Sequence, residues 1–241
     1  MPDRPLLPIN VVLRAEGDVS HPDTGGGPQK QFGDVTPEIR QTLVDQVRGL
    51  ETFFASSFEA RPDLPAVGRV VLKRKALAKS HRPSGLLTDQ TCPVIGTGQF
   101  GDLLVSVKPE GVSRLALRIS SSDSNAGRAN ISVIDRIEPY THSDVLGSST
   151  LESLYDELDR GGELKLKLFQ HRSAQRNDSV LRAFRDEARR LELIVAEAIR
   201  YSETLTIFRI TPRSRDALVE LASFVGSQTL SAFPYYSVVR T

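Results

Sequence analysis

Residues 94–108 read VIGTGQFGDLLVSVK, with Gly96, Gly98 and Gly101 in the pattern G-x-G-x-x-G and Lys108 just downstream. A dinucleotide fingerprint needs a helix directly after the glycines, because the helix N-terminus receives the pyrophosphate. Here DLLVSV follows, an apolar run with strand chemistry, so the segment reads as strand, glycine turn, strand. A kinase glycine loop also joins two strands, but no V-A-I-K, H-R-D or D-F-G accompanies it. Too little chain follows Gly101 for two kinase lobes. The glycines therefore permit positive φ angles or a bulge in a hairpin, and nothing in the stretch calls for a nucleotide cofactor.

Working outward, the hairpin falls inside a short α/β series. VGRVVLKRKAL before it reads as a strand, and AKSHRPSGLL as a turn or short helix broken by Pro83. After it, PEGVSRLALRISSS offers Pro109 as a first helical residue and Val112, Leu115 and Ile119 as one face, and ANISVIDRIEPY closes as a strand. The same order returns downstream of a short helix, LESLYDELDRGG. In ELKLKLFQ, Leu164, Leu166 and Leu168 alternate with Lys165 and Lys167, the period of a half-buried strand. A helix capped by Ser179 follows, then a hairpin about Glu203, a helix from Ser214 to Gly226, and a last strand, LSAFPYYSVVR. Pro234 suits that strand to a sheet edge.

Upstream, Thr36 caps a helix with Pro37 and Glu38 in its first turn, and Ile39, Leu43, Val47, Leu50, Phe54 and Phe58 make an apolar stripe. The fold class expected is α+β: tandem ferredoxin-like βαββαβ units behind an N-terminal amphipathic helix. The organisation expected is a lead-in and helix over 1–65, a first unit over 66–142, and a linker helix with a second unit over 143–241. Burial of a core side chain such as Leu166 or Phe184 stabilises such a unit by roughly 1.5–3 kcal/mol.

The 241 residues carry 31 Lys and Arg against 30 Asp and Glu, a net charge of +1 that gives no general field for nucleic acid or an anionic membrane. One cysteine, Cys92, excludes an internal disulfide; followed by Pro93 and an apolar run, it reads as a buried thiol. No apolar run approaches the about 20 residues of a membrane span. The opening MPDRPLLPINVVLR is too broken by proline and arginine for a signal peptide, so the expected location is cytoplasmic.

Chemistry-bearing constellations are few. No G-x-S-x-G elbow appears, and His21, His81, His142 and His171 lie in no glycine-flanked junction, so each reads as a surface polar residue. No Cys/His cluster has metal-ligand spacing, and neither a catalytic residue, a metal nor a cofactor is expected. The segment KRKALAKSHRP, 73–83, concentrates Lys73, Arg74, Lys75, Lys79 and Arg82, a candidate basic contact patch for phosphates or for an acidic partner surface. Sheets of this kind bind RNA through aromatics on their middle strands, and here those strands supply only Phe208. Nucleic acid is thus a minor alternative.

Four segments, PAVGRVVLKRKALAKSHRP, CPVIGTGQFGDLLVSV, ANISVIDRIEPYT and GSQTLSAFPYYSVVRT, together with the opening LLPINVV and FGDVTPEIR, resemble the N-terminal region of a group of bacterial subtilisin-like serine proteases. The resemblance covers nearly the whole chain. The family's Asp, His and Ser motifs lie beyond this region, so no catalytic residue carries over. What the resemblance implies is a propeptide-like or accessory part, whose sheet packs on a subtilisin-like catalytic domain in cis or in trans while its C-terminal tail enters the cleft. It implies an intramolecular chaperone, inhibitor or regulatory platform. Tyr235, Tyr236, Val238, Val239, Arg240 and Thr241 would form the docking tail. The alternatives are a standalone protein-interaction scaffold and an RNA-binding ferredoxin-like module.

Overall fold

The computed structural model describes residues 30–98, 101–202 and 205–233. Helix α1 spans Pro37–Phe53, and Thr36 accepts a hydrogen bond from the Ile39 N–H as its cap. The stripe of apolar residues outlasts the helix: the backbone breaks at Phe54, and α2, Ala55–Ala60, carries Phe58 back into the interior.

The first sheet contains β1 (Ala66–Leu72), β2 (Val94–Thr97) and β3 (Leu103–Val107), then α3 (Pro109–Ser121), α4 (Asn125–Ser132) and β4 (Ile134–Pro139). Its strands lie in the order β2-β3-β1-β4, each pair antiparallel. Between β1 and β2 the chain forms no α-helix but two 3-10 turns, Arg74–Ala76 and Lys79–His81. The place on the sheet is taken by α1 from upstream, which packs against α3 and β4. Gln46 on α1 accepts from the Ile137 N–H at 2.8 Å, satisfying a donor on the β4 edge. Val70, Leu103, Val105, Leu115 and Ile119 form the core with Leu43, Val47 and Leu50.

One expectation fails here. The run ANISVIDRIEPY does not close wholly as a strand, because its first four residues complete α4 and the strand begins at Ile134. Ser124 caps that helix by accepting from Gly127 N–H at 3.1 Å, and the Asn130 amide bonds both Ala126 O and Gly85 N–H. Buried Ile131 and Val133 look like strand residues by composition, but they anchor a helix end.

Two short helices follow, α5 (His142–Leu146) and α6 (Leu151–Asp159), each opened by a capping box. The second sheet contains β5 (Leu164–Leu168), α7 (Ala174–Arg190), β6 (Ile194–Val195), β7 (Ile199–Ser202), β8 (Leu205–Thr211), α8 (Arg215–Ser223) and β9 (Ser227–Ala232). Its order is β6-β8-β5-β9, with β7 also on β8, and again every pair is antiparallel. Leu164, Leu166 and Leu168 are buried as their alternation requires, against Phe184, Leu218 and Leu221 of the helices.

The expected cap of α7 at Ser179 is displaced. The helix starts six residues earlier, behind Ser173, and Ser179 bonds back to Gln175 O from within it. The early turns are polar, so apolar periodicity marks only the later ones. The IVAEAIRYS run is likewise two strand pieces, with Ala196 N–H reaching Arg209 O between them. Glu203 and Pro234 lie outside the described residues, and β9 is an edge strand.

Candidate docking surfaces and the cleft between the sheets

The second sheet is covered by helices on one face. Register places Leu164 beside Ile210 and Leu166 beside Phe208 and Leu230 on the covered side. On the other side Lys165 lies beside Arg209 and Ser231, Lys167 beside Ile207 and Thr229, and Ile199 beside Ile207. All of these are half-buried or exposed. Arg209 pairs with Glu163, and the Lys165 ammonium sits 5.5 Å from the centre of the Phe233 ring. Towards the β6–β7 edge the surface turns apolar: Ile194 is 53% exposed and Tyr201 62%. A half-exposed apolar sheet face rimmed by lysines has the make-up of an interaction surface.

The candidate tail, Tyr235, Tyr236, Val238, Val239, Arg240 and Thr241, lies outside the described residues. The candidate basic patch sits on the two 3-10 turns after β1. Arg74, Lys75 and Lys79 are exposed and Arg82 half-buried, whereas Lys73 is held in place by its Nζ donating to Phe32 O at 3.1 Å. Leu77 stands among them, 46% exposed.

β2 and β3 pair antiparallel on either side of the glycine segment. Gly98 N–H donates to Asp102 O at 2.7 Å, and Gly101 has φ +82°, a backbone suited to glycine. Behind it Cys92 is fully buried, and burial pushes its thiol up to about 12, so the sulfur stays protonated and unreactive at neutral pH. Gly111 on α3 is needed by contact rather than φ, since a Cβ there would stand 2.2 Å from Thr91 O.

The two sheets meet at one end of their open faces, where the chain leaves β5. Phe169, just after β5, packs on Val67 and Leu104 of the first sheet, and Tyr140 meets it edge-on at 5.1 Å. The Tyr140 hydroxyl donates to Gln228 O at 2.9 Å. On the far side, Arg61 donates to Ala183 O at 3.1 Å and pairs with Glu187 of α7 at 2.7 Å.

His171 belongs to this joint, which corrects its reading as a surface residue. It is 5% exposed; its Nδ1 lies 3.1 Å from Ser106 Oγ on β3, and its Nε2 is buried without a hydrogen-bond partner among the described residues. Burial, with Arg176 and Lys108 nearby, lowers its pKa to about 4 and keeps the ring neutral. A Ser–His contact supplies two of the three members of a catalytic triad, but Ser106 is only 2% exposed and is closed to a substrate. The missed signal was in the alternation itself. Lys165, Lys167, Phe169 and His171 keep one parity, and its last two members are covered by the first sheet.

Between the sheets a cleft remains. One end, about 610 Å³, holds Arg69, which pairs with Asp144 at 2.9 Å, with Glu138, and with Asp102 at 3.9 Å. The other end, about 450 Å³, is lined by Lys167, Gln170, His171, Arg172 and Gln228. Thr97, Leu104 and Gln228 line both. Among the described residues no group of three or more His, Cys, Asp and Glu could hold a metal ion, and no helix is long and apolar enough to cross a membrane. In comparisons with protein-family models, curated proteins and solved structures, none matched this chain.

Proposed function

We propose that this chain is a non-catalytic docking region for a subtilisin-like serine protease domain, made of two ferredoxin-like units. The observation that carries the reading is the one-sided second sheet. Its face, uncovered among the described residues, puts Ile207 beside Lys167 and Ile199 beside Ile207, an area suited to bury the helices of a partner. The edge strand β9 leads towards residues 235–241, which would lie extended along the substrate groove and pair with its edge. The sequence resemblance supplies the identity of the partner. A module that binds only the folded protease stabilises it by mass action, and the same contact excludes substrate.

The test adds the purified chain in trans to a subtilisin-like catalytic domain and follows peptide hydrolysis. The full chain slows it, and deletion of 235–241 relieves the block while leaving binding through the sheet face. Equal inertness of full and truncated chains overturns the cleft-blocking mechanism.

A further inference from the structure

The narrower end of the inter-sheet cleft shares Lys167 with the proposed docking face but otherwise combines features that the docking of a protease does not use. Its floor is apolar, formed by Ile95, Leu104 and Phe169. Its polar lining among the described residues comprises Lys167, Arg172, His171, Gln170, Gln228 and Thr97, with no carboxylate. Lys108 and Arg176 lie close enough to act on His171 as further positive charges. Arg172 is partly engaged, its Nε donating to Val94 O at 3.1 Å and its Nη1 lying 3.5 Å from the exposed Asp89. Lys167 sits on the open face of β5, and the imidazole Nε2 is buried with its hydrogen-bonding capacity unmet. Buried polar groups are ordinarily satisfied, so an unmet one beside a cavity points to a missing partner. The acidic residues lie at the opposite end, where Asp102 and Asp144 flank Arg69. Charge therefore runs from positive to negative along the cleft.

We infer that this end of the cleft binds a carboxylate carried on an apolar body, the anion held by Lys167 and Arg172 beside His171 and the body laid on Ile95, Leu104 and Phe169. A single carboxylate matches one lysine and one shared arginine, and about 450 Å³ lies within the range of small-ligand sites. The carboxylate is that of a free organic acid or of a polypeptide C-terminus.

The experiment is an NMR titration of the full chain with 3-phenylpropanoate and, separately, with 3-phenylpropanamide. The acid shifts the amide signals of Gly96, Thr97, Gln170 and Gln228, and binds at least about tenfold tighter than the amide. Lys167→Gln loses about tenfold in affinity for the acid, and Arg172→Gln does so independently, with circular dichroism and Tm unchanged in both. Equal binding of acid and amide, shifts confined to other surfaces, or full affinity in both variants overturns the site. Acetyl-diphenylalanine with a free carboxylate identifies the source: tighter binding than 3-phenylpropanoate assigns the site to a polypeptide terminus, and equal or weaker binding assigns it to a small acid. Because no protease enters the assay, its failure leaves the docking reading untouched, and the reverse also holds.

Discussion

Acid should weaken this fold through one buried imidazole, in addition to its paired carboxylates. His171 titrates at about 4 in the folded chain against an ordinary 6.5, because protonation would place a charge in a buried joint already facing Arg176 and Lys108. Below pH 6.5 the unfolded chain takes up a proton that the folded chain refuses, so stability falls with falling pH through that window and levels off below about 4. At about 1.4 kcal/mol per decade the full loss is roughly 3 kcal/mol, a large share of the stability of a small domain. The perturbation to compare is His171→Gln, which removes the titrating group and keeps a polar partner for Ser106. Urea unfolding of both proteins at pH 7.5 and pH 4 isolates the residue, because acidic side chains such as Glu138 and Glu187 titrate alike in the two. Wild type should lose roughly 3 kcal/mol more than the variant across that interval. Parallel losses, or an imidazole titration midpoint near 6.5 by NMR, refute the reasoning.

Two further outcomes follow from packing. Gly111→Ala should destabilise the chain by about 1–3 kcal/mol, read as a lowered Tm, because α3 must move away from Thr91 O to admit a methyl group. A Tm within error of wild type contradicts that contact. Cys92 should be silent to a thiol reagent in native buffer and react at once in denaturant, since it is fully buried and its thiol is held up to about 12. Rapid native labelling would mean that the first core opens.

Much of this architecture was legible in local patterns. The spacing from Ile39 to Phe58 and the Thr36 cap found α1, strict alternation found β5, and the absence of a helix after Gly101 found the hairpin. Misreadings arose where a local signal was masked. Ile131 and Val133 have strand chemistry yet end a helix, because Ser124 and the Asn130 amide close the turns that precede them. The polar residues that open α7 gave no periodicity until Val180. The helix expected between β1 and β2 is supplied by α1, a substitution decided by packing rather than by the residues of the connection. The joint and the cleft were hidden for a different reason. His171 and Ser106 are 65 positions apart, and no spacing rule links a strand of one sheet to the segment that follows a strand of the other.

The most direct test of the docking account is hydrogen exchange on the chain alone and with a subtilisin-like catalytic domain. The account predicts slowed exchange in β8 and β5, with Ile207→Asp abolishing both the protection and the complex while the fold persists. Protection confined to the 3-10 turns bearing Arg74 and Lys79, or a complex indifferent to Ile207→Asp, contradicts it.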